Sequence, residues 1–388
     1  MTTDHPTSAP DPASMPTATA AGAPTRTASP LPRPSRRALL GAAVPAGLAV
    51  AATGALAGPR PEGLGARTGD AGLADSLAPH LGGHRHVAAA LIDGDGPVFA
   101  GFGADQHREF EIGSATKTFT AALVMDAVSH KKLTLDTTVG QILGTAAQGS
   151  AIERTTVRAL ASHTSGLPRL PQSSLAASMG SVFLRGNPYA GITAADLQHD
   201  ALQAKLSGVG SYEYSNLGVA LEGLLAAHAL GGEYAPLVTE RILRPLGMGA
   251  TRIPASAAAL GAHPTRGRDE SGRSVAPWPM DGYAPAGGIR STAADMAVYL
   301  RSMMDGSNPG ARGVQPTATV RAGSRVGVNW FTTETAAGPV VWHNGMTGGF
   351  ASFIGWSPTK KRGVVLLTDT ALSVDELALK VLTGEVAR

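Results

Sequence analysis

The chain has 388 residues, of which 43% are hydrophobic, and it carries a formal net charge of +3. This length and hydrophobic content are enough for a substantial buried core, which excludes a chain that is disordered as a whole. The small charge leaves no basic patch that would favour nucleic acid as a partner. The absence of cysteine excludes a disulfide framework, a thiolate nucleophile and a cysteine-ligated metal site.

The amino-terminal part of the chain has the composition of a targeting segment. Residues 1–35 are rich in Pro, Thr, Ala and Ser and are predicted to be disordered. Residues 36–57 begin with two arginines, continue as a charge-free apolar run and end in Ala-Leu-Ala. This pattern resembles a twin-arginine export signal that is cleaved after Ala57, although a retained membrane anchor is the alternative. We therefore expect an exported protein, extracellular or in the periplasm and cell envelope, which contacts the membrane only if the segment is retained.

The folded part of the chain is expected to begin with a β-hairpin. Residues 58–85 are rich in Gly, Pro and Arg and then place leucine at every fourth position, which predicts a linker and a short helix. One folded domain is expected over residues 86–388. Its first two apolar runs, at 87–93 and 98–102, are joined by Gly-Asp-Gly, which is a hairpin signal.

The carboxyl-terminal part is predicted to return to the same sheet. The apolar runs that predict strands there are 326–331, 340–342, 350–356 and 363–368, and a helix is expected from Thr370 onward. Between the two ends, residues 114–305 show mostly helical periodicity. Strands at both ends with helices between them predict an α+β fold (an α/β sandwich). One antiparallel sheet is formed from both chain ends and flanked by helices, and a mostly helical subdomain is inserted.

The segment EIGSATKTFT, residues 111–120, places Ser114 three residues before Lys117 at the start of an apolar helix. Positions i and i+3 share one helix face, so Lys117 can reach the Ser114 hydroxyl group. A lysine activates a serine only when it is neutral, and both burial and a helix amino terminus lower its pKa. The same spacing recurs in polar surroundings, where we expect solvated side chains, at Ser129/Lys132 and Ser357/Lys360.

Two later segments add polar side chains to this pair. Tyr214 and Asn216 flank a serine in a Tyr-x-Asn sequence, which offers a phenol for proton relay and an amide for hydrogen bonding. His343 precedes Gly345 by two residues on a predicted strand, where glycine permits a close backbone approach. Taken alone, Ser114 would be interpreted as a helix N-cap. The two later segments favour a catalytic serine instead.

Ser-x-x-Lys, Tyr-x-Asn and a basic residue-x-Gly, in this order, resemble the serine β-lactamase and penicillin-binding protein superfamily. The similarity is greatest to the branch of class C β-lactamases, D-alanyl-D-alanine carboxypeptidases and esterases. The flanking segments FEIGS, LASHTSGLP, PLGM and PAGGIRST are also similar to that branch, and the resemblance extends from about His86 to Asp369. It implies a β-lactamase/transpeptidase-like fold and a serine hydrolase without a metal or another cofactor.

The resemblance implies a role for each of the polar residues. Ser114 would be the nucleophile that forms the acyl-enzyme, with Lys117 as its proton acceptor. Tyr214 would act as general acid and base together with Lys117. Asn216 would orient the amide of the substrate and the lysine.

The resemblance also implies a substrate-binding strand. Asn344, Gly345 and Met346 would bind substrate through the backbone, and the N–H groups of Ser114 and Met346 would form the oxyanion hole. His343 would occupy the position where β-lactamases of this branch have lysine, which has a permanent charge for a carboxylate. The expected substrate is a small molecule or a peptide, and cell-wall peptide is among the candidates. The expected activity is that of a carboxypeptidase, a D-amino-acid peptidase or an esterase. Two alternatives are a true class C-like β-lactamase and a module that binds penicillin or the cell wall and turns over slowly.

Overall fold

The computed structural model describes residues 63–94, 96–171 and 185–386. The expectations for residues 1–35 and 36–57 lie outside this part of the chain. Within it, no helix combines the length and the hydropathy that are needed to cross a bilayer.

Nine strands form a single antiparallel sheet, with the order β1-β3-β2-β11-β10-β9-β8-β7-β6. The strands of this sheet are β1 (Arg67–Gly69), β2 (Val87–Asp93), β3 (Gly96–Phe102), β6 (Ala318–Arg321), β7 (Ser324–Val326), β8 (Phe331–Thr335), β9 (Gly338–Met346), β10 (Ala351–Ser357) and β11 (Arg362–Thr368). A separate two-stranded ribbon consists of β4 (Phe110–Glu111) and β5 (Arg290–Ser291). The large sheet therefore joins both ends of the described chain.

Most helices lie in the segment between β3 and β6. The α-helices are α1 (Ala71–Leu77), α2 (Thr116–Ser129), α3 (Val139–Leu143), α4 (Val157–Ala161), α5 (Ala194–Gln203), α6 (Asn216–Leu230), α7 (Tyr234–Val238), α8 (Ala284–Gly287), α9 (Ala293–Met304) and α10 (Asp375–Thr383). Short 3-10 turns occur at Ala78–His80, Gly113–Ala115, Gly144–Ala147, Ala258–Leu260 and Pro309–Val314, and a π-helical turn at Thr239–Leu243.

The sheet lies between two layers of helices because its strands are apolar on both faces. On β10, Ile354 belongs to the core that also contains residues of α2 and α9. The next residue towards the amino end, Phe353, faces the opposite core, which α1 and α10 cover. This alternation follows from the two-residue period of a strand. The predicted fold class, with its sheet built from both chain ends, is confirmed.

Several predicted boundaries differ from the structure; for example, the helix that was expected from Thr370 begins at Asp375. The run at 326–331 is not one strand, because β7 ends at Val326 and β8 begins at Phe331. Between them Asn329 has φ = 57°, a left-handed conformation that a continuous strand does not contain. At the other end of the domain, the chain already joins the sheet at β1, inside the segment that was expected to be a linker.

We predict that Phe353→Ala lowers the free energy of unfolding by about 3–5 kcal/mol, because it leaves a cavity in the core between the sheet and α10. Urea denaturation followed by circular dichroism measures the change. The matched control is Val298→Ala on α9, where the side chain is 43% exposed and the expected change is within about 0.5 kcal/mol. Equal losses in both variants would contradict this assignment of the core.

Candidate active site

Ser114 lies in the 3-10 turn Gly113–Ala115, directly before α2. The turn packs against the end of β9, since a Cβ atom at Gly113 would lie 2.7 Å from the backbone nitrogen of Met346. Gly113 also has φ = 49°, which favours glycine. The serine is half-buried, whereas Met346 is 36% exposed. The turn thus places the Ser114 backbone beside the strand that was predicted to bind substrate.

The hydroxyl group of Ser114 has two polar partners that are distant from each other in sequence. Lys117 Nζ donates a hydrogen bond to Ser114 Oγ at 3.0 Å, and Tyr214 OH donates to the same oxygen at 2.9 Å. A second hydrogen bond, of 2.6 Å, joins Lys117 Nζ to the carbonyl oxygen of Ala286 in α8. The serine, lysine and tyrosine that the sequence predicts are therefore in direct contact.

Burial makes Lys117 a stronger candidate for a base than an exposed lysine would be. Its side chain is 0% exposed. Burial lowers the pKa of Lys117 well below its usual value, the nearby charge of Arg169 lowers it further, and Glu222 acts in the opposite direction. The neutral amine that serine activation requires is thereby favoured.

Tyr214 is held as a neutral phenol among charged and aromatic groups. Burial raises the pKa of Tyr214 to about 12. Lys117 Nζ lies 5.1 Å and the guanidinium carbon of Arg169 lies 5.2 Å from the centre of its ring. The ring of His163 lies against it, with 4.5 Å between the ring centres, and His163 Nδ1 accepts a hydrogen bond from the backbone N–H of Ser215. His163 therefore positions the loop that carries Tyr214.

Asn216 is the first residue of α6, which Ser215 caps through a hydrogen bond from the Gly218 N–H group. The Asn216 amide nitrogen donates to Tyr189 OH at 3.1 Å. The expected hydrogen bond to Lys117 is not formed. Among the described residues, Asn216 Oδ1 has no hydrogen-bond partner although it is buried. Asn216 Oδ1 is therefore a buried acceptor that no described side chain uses.

His343 lies within β9 and is 1% exposed. Its Nδ1 donates a hydrogen bond of 2.6 Å to the carbonyl oxygen of Asn344, while Nε2 has no partner among the described residues. Burial and the charge of Lys117 lower the pKa of His343 to about 3. The imidazole is thus neutral throughout the ordinary pH range.

The next two residues of β9 differ in their orientation. Asn344 donates from its side chain to Asp375 Oδ2 at 2.7 Å, on the side of the sheet that α10 covers. At Gly345, a Cβ atom would lie 1.9 Å from the carbonyl oxygen of Ile112 and 2.8 Å from the backbone nitrogen of Ser114. Only glycine fits between the strand and the serine turn, so the backbone of β9 passes directly beside Ser114.

Three residues of the site were missed by the sequence analysis. Arg169 follows the SHTSGLP segment, and Glu222 is a single charge in an otherwise apolar run of α6, which was an available signal. The carboxyl group of Glu222 accepts hydrogen bonds of 2.9 and 3.2 Å from the Asn329 amide. Burial raises the pKa of Glu222 to about 8. Asn329 has no comparable sequence signal because its contact is long-range.

Comparisons with known proteins identify the family of the chain. A family model described as Beta-lactamase matches residues 73–387. A beta-lactamase of Pseudomonas fluorescens is 28% identical over 300 residues, which cover 67% of this chain and 79% of that protein. A beta-lactamase of Lysobacter lactamgenus is 24% identical over 306 residues, covering 69% of this chain and 75% of that protein.

Solved structures show the same fold. A D-stereospecific amidohydrolase from Streptomyces sp. superimposes with a TM-score of 0.70 at 21% identity, over 81% of this chain and 98% of that chain. A class C beta-lactamase superimposes with a TM-score of 0.69 at 20% identity, over 81% of this chain and 96% of that chain. The D-alanine carboxypeptidase AmpC from Burkholderia cenocepacia superimposes with a TM-score of 0.66 at 20% identity, over 81% of this chain and 97% of that chain. The predicted β-lactamase/transpeptidase-like architecture is confirmed.

We predict that His343 makes the folded state sensitive to acid. Its pKa is near 3 in the folded chain and about 6.5 in an unfolded one. Its contribution to stability is therefore complete above pH 6.5 and is lost as the pH falls towards 3. The loss between pH 7 and pH 5 amounts to about 2 kcal/mol, and His343→Asn removes it.

Urea denaturation at the two pH values measures this difference in stability. His263→Asn is the control, because His263 is exposed and its replacement is expected to leave the difference unchanged. An identical pH dependence in wild type and His343→Asn would contradict the prediction.

Proposed function

The chain belongs to the beta-lactamase family of serine hydrolases, and from this premise we propose that Ser114 cleaves an amide or ester through an acyl-enzyme. The family membership confirms the resemblance that the sequence motifs showed. The single observation that carries the proposal is the convergence of Lys117 and Tyr214 on the Ser114 hydroxyl oxygen, at 3.0 and 2.9 Å.

Acylation would begin with neutral Lys117. The amine takes the proton of the Ser114 hydroxyl group while Oγ forms a bond to the substrate carbonyl carbon. When the bond to the leaving group breaks, Tyr214 gives its phenolic proton to that group and regains one from Lys117. Water then attacks the acyl-enzyme with the same two groups acting in reverse. A phenol with a pKa of about 12 is protonated at the start of this cycle.

The oxyanion would be stabilised by backbone N–H groups of Ser114 and Met346. The passage of Gly345 beside the Ser114 nitrogen supports this assignment, because it aligns the end of β9 with the serine turn. Donors of this kind act on the charge that develops in the transition state, and the loss of one costs on the order of 3 kcal/mol.

His343 bears on the choice of substrate. A buried, neutral imidazole has no permanent charge for the carboxylate of a β-lactam. We therefore favour a D-amino-acid peptide, a D-alanyl-D-alanine-like peptide or an ester as the substrate. The second candidate is a β-lactam, because the two curated relatives described above are beta-lactamases and Arg169 places a positive charge beside Tyr214. A module that binds these compounds and turns over slowly is the third.

We predict that hydrolysis depends on Ser114 and is faster for esters or D-amino-acid peptides than for β-lactams. The rates of hydrolysis are measured in parallel for p-nitrophenyl esters, a D-Ala-D-Ala peptide and nitrocefin. Ser114→Ala is expected to lose turnover, and intact-mass spectra are expected to show a fluorophosphonate adduct in the wild type alone. Nitrocefin as the best substrate would favour the β-lactamase, and an adduct that persists for hours would favour the binding module.

The proposal fails if Ser114→Ala hydrolyses the panel as fast as the wild type. It fails equally if the adduct forms at the same rate in both proteins, since the reactive group would then lie elsewhere.

We predict that Gly345→Ala reduces kcat/KM by about 100-fold or more, because the added methyl group displaces β9 from the oxyanion position. Gly82→Ala is the matched control, since a Cβ atom there would have nothing within 4 Å. Steady-state kinetics measure the effect, and near-ultraviolet circular dichroism shows whether each variant is folded. A Gly345→Ala protein with activity within about twofold of the control would exclude this strand from the oxyanion hole.

A further inference from the structure

Arg169 lies beside the loop that carries Tyr214, because hydrogen bonds join the two segments. The carbonyl oxygen of Pro168 accepts a hydrogen bond of 2.7 Å from the Ser215 hydroxyl group. The carbonyl oxygen of Arg169 itself accepts one of 3.3 Å from the backbone N–H of Leu217. These two bonds hold Arg169 next to the first turn of α6.

The side chain of Arg169 extends from there towards the proposed nucleophile. Its guanidinium carbon lies 5.2 Å from the centre of the Tyr214 ring, which is within the range of a cation–π contact. The hydroxyl group on the same ring donates to Ser114 Oγ at 2.9 Å. Arg169 is half-buried, so part of its side chain stays accessible. A single aromatic ring therefore lies between this positive charge and the Ser114 hydroxyl group.

Arg169 differs from other shielded arginines of the described chain in having no acidic partner. Among the described residues, no carboxylate forms an ion pair with it, and residues 172–184, which lie outside the described ranges, contain neither Asp nor Glu. Glu213, the acid adjacent to Tyr214 in the sequence, is exposed to solvent. The arginines that do have such a partner include Arg158 with Asp136, Arg252 with Glu109 and Arg290 with Glu111. A cation that is partly removed from water without an anion costs stability, which indicates that a ligand supplies the anion.

We propose that Arg169 binds a carboxylate group of the substrate and thereby makes the site select anionic over neutral substrates. The inference rests on the proposed function, because it places that substrate at Ser114. The carboxylate belongs either to the acyl part of the substrate or to its leaving group, and the test below separates these two positions.

The chemistry of arginine suits this role. A planar guanidinium group can donate two parallel hydrogen bonds to one carboxylate, and it is charged at every ordinary pH. His343 is 1% exposed and neutral in the same range, so it supplies no such charge. Lys117 is 0% exposed, and its amine already donates to Ser114 and to the carbonyl oxygen of Ala286. Arg169 keeps both its charge and part of its accessible surface.

A different role for Arg169 would be to act on Tyr214 through the cation–π contact alone. Such an effect would change proton transfer for acids and for neutral substrates equally. A carboxylate-binding site changes the reaction of the acids only. The ratio of kcat/KM between an acid and its neutral amide therefore isolates the binding role.

The test compares kcat/KM within two pairs of esters that differ only in a carboxylate or a carboxamide. The charge lies on the leaving group in 3-carboxyphenyl acetate and 3-carbamoylphenyl acetate. It lies on the acyl part in p-nitrophenyl hydrogen adipate and its terminal amide. We expect the wild type to prefer the acid by about 10-fold or more in at least one pair, which identifies the end that Arg169 binds. A ratio near one in both pairs would overturn the proposal.

Three variants connect the preference to Arg169. Arg169→Gln removes the charge, so the ratio is expected to fall to about one, whereas Arg169→Lys keeps the charge without the fork and is expected to retain part of the preference. Arg154→Gln, at an exposed position, is the matched control and is expected to keep the full preference. Near-ultraviolet circular dichroism shows whether each variant is folded. An unchanged ratio in folded Arg169→Gln, or an equal loss in Arg154→Gln, would contradict the assignment.

The two proposals fail in different ways. Binding of each acid and amide to Ser114→Ala, measured by calorimetry, does not depend on turnover, and the same preference for the acid is expected there. Equal binding of acid and amide would remove the carboxylate site alone. Turnover that persists in Ser114→Ala, together with a preference that depends on Arg169, would remove the nucleophile alone.

Discussion

The close approach between β9 and the turn at Ser114 is the constraint on which the site depends. Gly345 lies where a Cβ atom would overlap the carbonyl oxygen of Ile112, and Gly113 faces the backbone of Met346 in the same way. Ser352, on the neighbouring strand, donates to that Ile112 oxygen at 2.7 Å. The serine turn is thus held against the sheet by close backbone packing and by the Ser352 hydrogen bond, and α2 begins directly after this turn.

Burial of ionisable groups is the second organising feature, and it follows from the first. Once the turn is pressed against the sheet, Lys117 and His343 lie in the interior, where the neutral form of each is favoured. A neutral lysine next to a serine can accept the proton of the serine hydroxyl group. A neutral histidine has no positive charge with which to attract a carboxylate. Under the proposed function, the same burial that costs stability would produce both the reactivity of Ser114 and the absence of a permanent positive charge at His343.

The site combines elements from distant parts of the chain. Ser114 comes from the turn before α2 and Lys117 from the first turn of that helix. Tyr214 comes from the loop before α6, and Gly345 from a strand near the carboxyl end. The sheet can bring them together because its carboxyl-terminal strands pair with its amino-terminal ones, β11 with β2. The helical insertion then covers one face of the sheet and supplies the phenol.

The sequence by itself determined the fold class, the family and the two side chains that meet the hydroxyl group of Ser114. Such features are recorded in local patterns: strand runs at both ends, helical periodicity between them, and short motifs with defined spacing. It did not determine that Asn216 bonds Tyr189 instead of Lys117, that His343 is shielded from water, or that Asn329 forms a hydrogen bond with the buried Glu222. Those results depend on distances between residues far apart in the chain and on the local dielectric. Only tertiary packing decides both, since burial and long-range contact leave no fixed spacing in a sequence.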